Sequence, residues 1–316
     1  MLVSIVIRTL NEERYLSELL ASIRSQVHPE FDVEVVLVDS GSTDATLEIA
    51  QRFDCRITHI EKREFTFGRS LNIGCEFAQG DRLVFISGHC IPCTTDWLST
   101  LVAPLNGQCD YVYGRQVGRD TTKFSERQLF QKYFPDRSRI PQVGFFCNNA
   151  NAALRRDVWE AHKFNEELTG CEDMYLARAI IEAGGTIGYC AEAAIFHIHD
   201  ETWRSLLVRY EREAIALRKI MPEVQVSLYD MLRFIAVGII KDWRAAWGYG
   251  VLMKEAVSIC IFRTLQYYGA YKGNHIHRQI SQAAKMKYFY PRVSADMDVS
   301  HRRRDLASNE KSQKDV

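Results

Sequence analysis

The sequence predicts an α/β fold, a mostly parallel sheet with helices on both faces, continued by a helical C-terminal region. Three observations carry this expectation. Apolar, largely β-branched runs near residues 3–7, 33–38, 55–60, 82–86 and 109–113 alternate with segments of helical periodicity up to about residue 115. Three of the strand ends and one helix start bring polar residues towards one rim of that sheet. Beyond residue 203, Leu206, Leu207, Tyr210, Ala214 and Leu217 recur on one helical face.

Val3-Ser4-Ile5-Val6-Ile7 forms the first strand and Arg8 to Glu12 a polar turn. Tyr15, Leu16, Leu19, Leu20 and Ile23 then repeat at helical spacing. The run Val35 to Val38 reads as a buried strand that ends on Asp39. A Gly41-Ser42 turn follows, and Ser42, Thr43 and Asp44 are suited to cap the helix begun by Ala45 to Glu48. In open α/β sheets ligands bind beyond the carboxyl ends of strands, which sets Asp39 in position to read a base or a ribose hydroxyl. A carboxylate that merely stops the strand is the competing reading. Phe67 to Gly74 opens a helix running towards Gly80, and strand Arg82 to Ile86 has Ser87-Gly88-His89-Cys90 at its mouth. Between 116 and about 200 the pattern is mixed: Phe145 to Leu154 extended, Asp173 to Ala183 helical, Thr186 to Tyr189 a short strand. No internal repeat is visible.

Composition narrows the function classes. Charge is balanced, with 40 basic and 40 acidic residues, so no global field favours nucleic acid. Nine cysteines lack a disulfide-framework spacing, which suits a reducing cytoplasm, and Cys90-x-x-Cys93 has no second pair at zinc spacing. Arg8, Asn11, Glu12 and Glu13 interrupt the first apolar run, which therefore does not read as a signal peptide, and Phe234 to Ile240 stops at Lys241-Asp242, too short to span a bilayer. Residues 228–290 interleave aromatics such as Phe234, Trp243, Trp247 and Tyr268 with Arg233, Lys241, Arg244 and Lys254. Such helices either pack on the rest of the chain or a second copy of it, or lie on an anionic membrane surface. The polar stretch after Pro291 is expected to be disordered. The organisation expected is 1–204 catalytic, 205–291 helical and 292–316 a tail.

Several segments together resemble the family 2 glycosyltransferases with the GT-A fold. They are Ile5 to Glu12, Val38 to Asp44, Asn72-x-Gly74-x-x-x-Ala78-x-Gly80, Asn148 to Ala152, Glu172-Asp173 after Gly170, and His197-Ile198-His199. The resemblance covers about residues 1–210 and implies an inverting transfer from a nucleotide-sugar donor. Extension to bacterial cell-surface or exopolysaccharide enzymes, with the Gln266 to Gly273 segment, implies a glycan or lipid-linked acceptor at the cytoplasmic face of the membrane. It further implies that Asp173 is the base, with Glu172 orienting neighbouring groups. Thr9, Asn11 and Glu12 would line the nucleoside pocket, and Asp39 would accept from the base. Arg69 would meet the diphosphate in two-pronged fashion. Asn72 would face the ribose or remain on the helix surface; Asn148 and Asn151 would bond sugar hydroxyls or join a buried amide network.

One departure concerns the metal. Where the family carries Asp-x-Asp, this chain has Ser87-Gly88-His89. Imidazole binds metals, and His197 and His199, alternate residues of a strand, point the same way. A divalent cation, Mg2+ or Mn2+, held with help from His89, His197 and His199 is the expectation. Metal-free stabilisation by Arg69 is the alternative, and a degenerate, non-catalytic scaffold or sugar-binding protein is the other functional reading.

Overall fold

The computed structural model describes residues 1–28, 30–276 and 288–289. Its first half alternates strand and helix. The elements are β1 (Leu2–Thr9), α1 (Glu13–Arg24), β2 (Asp32–Asp39), α2 (Thr46–Arg52), β3 (Arg56–His59), α3 (Phe67–Phe77) and β4 (Arg82–Ser87). There follow β5 (Cys90–Pro92), α4 (Trp97–Val102), β6 (Tyr111–Val117), α5 (Phe124–Tyr133), β7 (Asn151–Arg155), α6 (Arg156–His162), α7 (Glu172–Glu182) and β8 (Ile187–His197). Three helices close the described chain: α8 (Trp203–Ile220), α9 (Leu228–Gly248) and α10 (Leu252–Asn274).

The strands form one sheet in the order β3-β2-β1-β4-β7-β6-β8-β5. Both of β1's neighbours are parallel to it, and β3 runs parallel to β2. Beyond β4 the sheet is mixed: β7 is antiparallel to β4 and β6, while β5 is antiparallel to β8. The alternation of side chains along each strand creates two cores. Val3, Ile5 and Ile7 of β1 pack with Leu16, Leu19 and Leu20 of α1 and Trp97, Leu98 and Leu101 of α4. Val6 of β1, with Val36 and Val38 of β2, packs on the opposite face against Leu71 of α3, Trp159 of α6 and Leu176 and Ile180 of α7.

Several expectations are corrected in detail. The short strand expected at Thr186 to Tyr189 is the start of the eleven-residue β8. Of Phe145 to Leu154, only the last residues form a strand, because Asn148 to Ala150 make the turn that leads into β7. The strand expected at 109–113 begins at Tyr111 and reaches Val117. Among the described residues, no helix is long and apolar enough to cross a membrane. α10 lies against α8 and α9 and is tied to α5 by Arg263, whose guanidinium makes paired bonds of 2.7 and 2.8 Å to Asp242 and reaches the Ser125 carbonyl. The stretch 292–316 expected to be a tail lies outside the described residues.

Candidate active site

The carboxyl ends of β1 and β2 meet at one rim. Thr9 Oγ1 donates to Asp39 Oδ1 at 3.2 Å, and Asp39 Oδ2 accepts the backbone N–H groups of Gly41 (2.8 Å) and Ser42 (3.0 Å). The Ser42 hydroxyl donates to Oδ1 as well, so both carboxylate oxygens are engaged and Asp39 is almost wholly buried. Asp39 thus closes its own turn. The next loop is locked to it: Asn11, in the left-handed region at φ 55°, accepts from the Thr43 N–H at 2.8 Å, and the Glu12 N–H donates to Thr46 Oγ1 at 2.8 Å.

Glu12 stands at the N-cap position of α1 yet does not cap it. Its carboxylate instead accepts from His89 Nδ1 at 3.0 Å. Two more imidazoles converge there, one ring nitrogen of each of His89, His197 and His199 lying within 4.8 Å of the others. His197 Nδ1 bonds Gln116 Oε1 at 2.7 Å, and His199 Nδ1 bonds Glu126 Oε1 at 2.6 Å. All three partners are oxygens that only accept, so each Nδ1 is engaged as a donor and Nε2 is the nitrogen left for a metal. Burial, followed by the neighbouring imidazoles, pushes the His197 pKa well down, which keeps it neutral. Burial also opposes charge on His89, but the Glu12 carboxylate outweighs it and raises the pKa. Burial resists charge on Glu126 too, yet His199 and Arg209 hold its pKa down at about 2. The donor set fits a divalent cation: convergent, oriented imidazoles with their other nitrogens fixed.

A hydrogen-bonded chain runs from this cluster to the carboxylates of α7. Gln116 Nε2 donates to Asn148 Oδ1 at 2.9 Å, and the N–H of the next residue, Asn149, donates to Asp173 Oδ2 at 2.9 Å. The Asn149 Oδ1 accepts from the Tyr111 hydroxyl, while its buried Nδ2 has no partner among the described residues. Cys171, at φ 54°, makes the left-handed step that launches α7 with Glu172 and Asp173 in its first turn. Both acids are buried. Burial, then the neighbouring Glu172 charge, pushes the Asp173 pKa up to about 7. Glu172 is paired to Arg8 at 3.3 Å, and Arg8 in turn lies over the Phe67 ring, 4.9 Å from its centre. The two carboxylate groups therefore share the end of β1: Thr9 bonds Asp39 and Arg8 bonds Glu172.

Two expected ligand residues are corrected. Asn72 neither faces a ribose nor lies on the surface. Its Nδ2 donates to the Phe164 carbonyl and Glu166, and its Oδ1 accepts from Trp159 Nε1 and the Phe164 N–H, at 2.9 to 3.1 Å. Asn151 is fully enclosed, accepting from Trp97 Nε1 and donating to the Arg115 and Ala193 carbonyls. Asn72 ties α3 to α6 and the loop after it, Asn151 ties β7 to α4, β6 and β8, and both are too enclosed to meet a sugar. Arg69 is half-exposed in the first turn of α3 and pairs with Glu64 at 3.3 Å. Arg8, Gln116, Glu126 and Arg209 were not anticipated. The strand-end rule that singled out Asp39 applies equally to Arg8 and Gln116, whereas Glu126 and Arg209 sit on helices without a local signature. Phe196 and Ile198, on the other face of the end of β8, line a separate hollow of about 500 Å³ with Arg14, Tyr15 and Arg119. It contains none of these carboxylates or imidazoles.

The family described as "Glycosyl transferase family 2" matches residues 4–162. The O-antigen chain rhamnosyltransferase RfbN of Salmonella typhimurium is 28% identical over 224 residues, covering 66% of this chain and 70% of RfbN. The poly(ribitol-phosphate) beta-N-acetylglucosaminyltransferase TarS of Staphylococcus aureus is 32% identical over 244 residues, 75% of this chain but only 40% of TarS. The mannosyltransferase PcManGT from Pyrobaculum calidifontis, solved in complex with GDP-Man and Mn2+, superposes over 92% of this chain and 87% of its own, with a TM-score of 0.60 at 16% identity. The chain belongs to glycosyl transferase family 2 and has the GT-A fold of that family's enzymes.

Proposed function

We propose that this chain moves a sugar from a nucleotide-sugar donor to a hydroxyl of a glycan or lipid-linked acceptor, with inversion, in cell-surface polysaccharide synthesis. The observation that carries the reading is Asp173, a buried carboxylate whose pKa is raised to about 7, joined through Asn149, Asn148 and Gln116 to three convergent histidines. A general base works best with a pKa near the operating pH. Asp173 takes the acceptor proton as the acceptor oxygen attacks the anomeric carbon, and the Asn149 N–H fixes the carboxylate's aim. Glu172, neutralised in part by Arg8, keeps Asp173 basic without leaving two bare charges side by side. Thr9, Asn11, Glu12 and Asp39 form the nucleoside wall, a ligand donor replacing the Ser42 hydroxyl at Asp39. Arg69 and the half-exposed Asn148 face the diphosphate and the donor sugar. A divalent cation held by His89, His197 and His199 would supply positive charge against the departing diphosphate.

We assign residues 1–204 to catalysis and the described helices of the 205–291 region to an appendage that meets the cytoplasmic face of the membrane. Exposed Leu232, Phe234, Val237, Trp243 and Trp247 of α9, with Arg233, Lys241 and Arg244 beside them, support lipid contact over a second copy of the chain. The test of the reaction is a thermal-shift screen of nucleotide sugars with and without Mn2+ or Mg2+, followed by transfer assays with the donor that responds. A preference for one nucleoside diphosphate, with no response to NAD(P), is expected. A protein that shifts with no nucleotide sugar, or transfer that survives intact in Asp173→Asn, overturns the proposal.

A further inference from the structure

We propose that His89, His197 and His199 form a three-imidazole site selective for a nitrogen-preferring transition cation of the Co2+ or Zn2+ type over Mg2+, assembled before any nucleotide arrives. The inference deepens the metal assignment made above and depends on it. Its basis is the donor set and the groups behind it. All three donors are imidazole nitrogens, and the carboxylates bonded to two of the rings, Glu12 and Glu126, are spent on the far side at Nδ1. Mg2+ demands oxygen ligands in near-octahedral geometry and sheds water reluctantly, whereas imidazole suits the later first-row cations.

Three separate elements deliver the acceptors that aim the rings. Glu12 comes from the start of α1, Gln116 from β6 and Glu126 from α5. Such outer partners fix the tautomer and raise ligand basicity, and their loss commonly weakens metal binding ten- to a hundredfold. Glu126 is itself pinned by Arg209 at 2.7 Å, so its carboxylate cannot swing round to become a ligand. His197 stacks on Phe130 and meets His199 edge-on with ring centres 3.9 Å apart, which limits the freedom the rings would lose on binding. Metal–nitrogen distances of about 2.0–2.1 Å put bound nitrogens roughly 3.3 Å apart, within small side-chain rotations of the present spread. Glu12, Gln116 and Glu126 are therefore positioning residues for the metal.

The experiment uses the untagged full chain, without nucleotide. Calorimetric titration with CoCl2 and MgCl2 should give a Co2+ affinity at least a hundredfold above that for Mg2+, with visible d–d absorption free of thiolate-to-metal charge transfer. His89→Ala retains all nine cysteines and should lose the band. In Glu126→Gln, with folding checked by its melting curve, Co2+ affinity should fall ten- to a hundredfold. Should Glu126→Gln not fold, Glu12→Gln takes its place with the same expected loss. Mg2+ binding as tight as Co2+, no cation bound by the resting protein, or an unchanged Co2+ band in His89→Ala would each overturn the proposal; unchanged affinity in the folded Glu variant would remove the positioning role. Nucleotide-sugar stabilisation measured alongside, in chelator, separates failure of this site from failure of the proposed transfer reaction.

Discussion

Titrating Asp173 puts the proposed chemistry at risk most directly. An aspartate ordinarily ionises near 3.8, and here burial and then the Glu172 charge raise that to about 7. The difference, about three pH units, is worth roughly 4 kcal/mol in favour of the protonated form. If this carboxylate is the base, about a tenth of the free enzyme is competent near pH 6 and about nine-tenths near pH 8, so kcat/KM should climb about tenfold over that window. Glu172→Gln removes the second cause of the shift and leaves Arg8 free to favour ionised Asp173, so the ascending limb should move to lower pH. Stability carries the same signature with a definite sign. Between the unfolded value near 3.8 and the folded value near 7, the native state binds the extra proton, so stability falls as pH rises through that interval and levels off above it. Asp173→Asn should flatten this slope. Rate–pH profiles with the donor that responds, together with urea melts of wild type and Asp173→Asn at several pH values, test both consequences. A limb that Glu172→Gln leaves in place, or a slope that persists in Asp173→Asn, would refute the reasoning.

Three further outcomes follow from the packing. Asn72→Ala strands the Trp159 and Phe164 N–H donors and should cost about 2–4 kcal/mol in urea melts, without weakening nucleotide binding by the folded fraction; lost affinity at unchanged stability would restore a ligand role. Asp242→Asn leaves Arg263 buried without its paired carboxylate and should cost about 3–5 kcal/mol, whereas replacing both residues by apolar ones of similar volume should recover most of that loss in the same melts. Co-sedimentation should bring the chain down with anionic vesicles but not with zwitterionic ones, and Trp243→Ala with Trp247→Ala should weaken this; binding indifferent to lipid charge and to both tryptophans would exclude α9 as the contact.

Much of the fold could be read from local pattern because each early strand is a short apolar run bounded by polar turns. β1, β2 and β4, with α1 and α3 between them, fall close to where periodicity puts them, since alternation along one strand fixes which residues face each core. The mixed half was harder to read. β5 is three residues long, and whether β8 stops at Tyr189 or runs on to His197 depends on its partners β6 and β5, which are distant in sequence. The asparagines show the same limit: an amide's chemistry is identical whether it meets a sugar or a buried indole, and only the surrounding packing decides which.

By itself, the sequence determined the alternating architecture, the family, and the acids and imidazoles that gather at one rim, because these follow from short motifs and from the rule that strand ends carry ligands. Only the tertiary structure decided how those groups are set. It sealed Asp39 into its turn, buried Asn72 and Asn151, placed Arg8 against Glu172, and brought Glu12, Gln116 and Glu126 behind the three histidines. A side chain's protonation, aim and spare hydrogen-bonding capacity are properties of its neighbours, and here those neighbours lie up to 164 residues away along the chain.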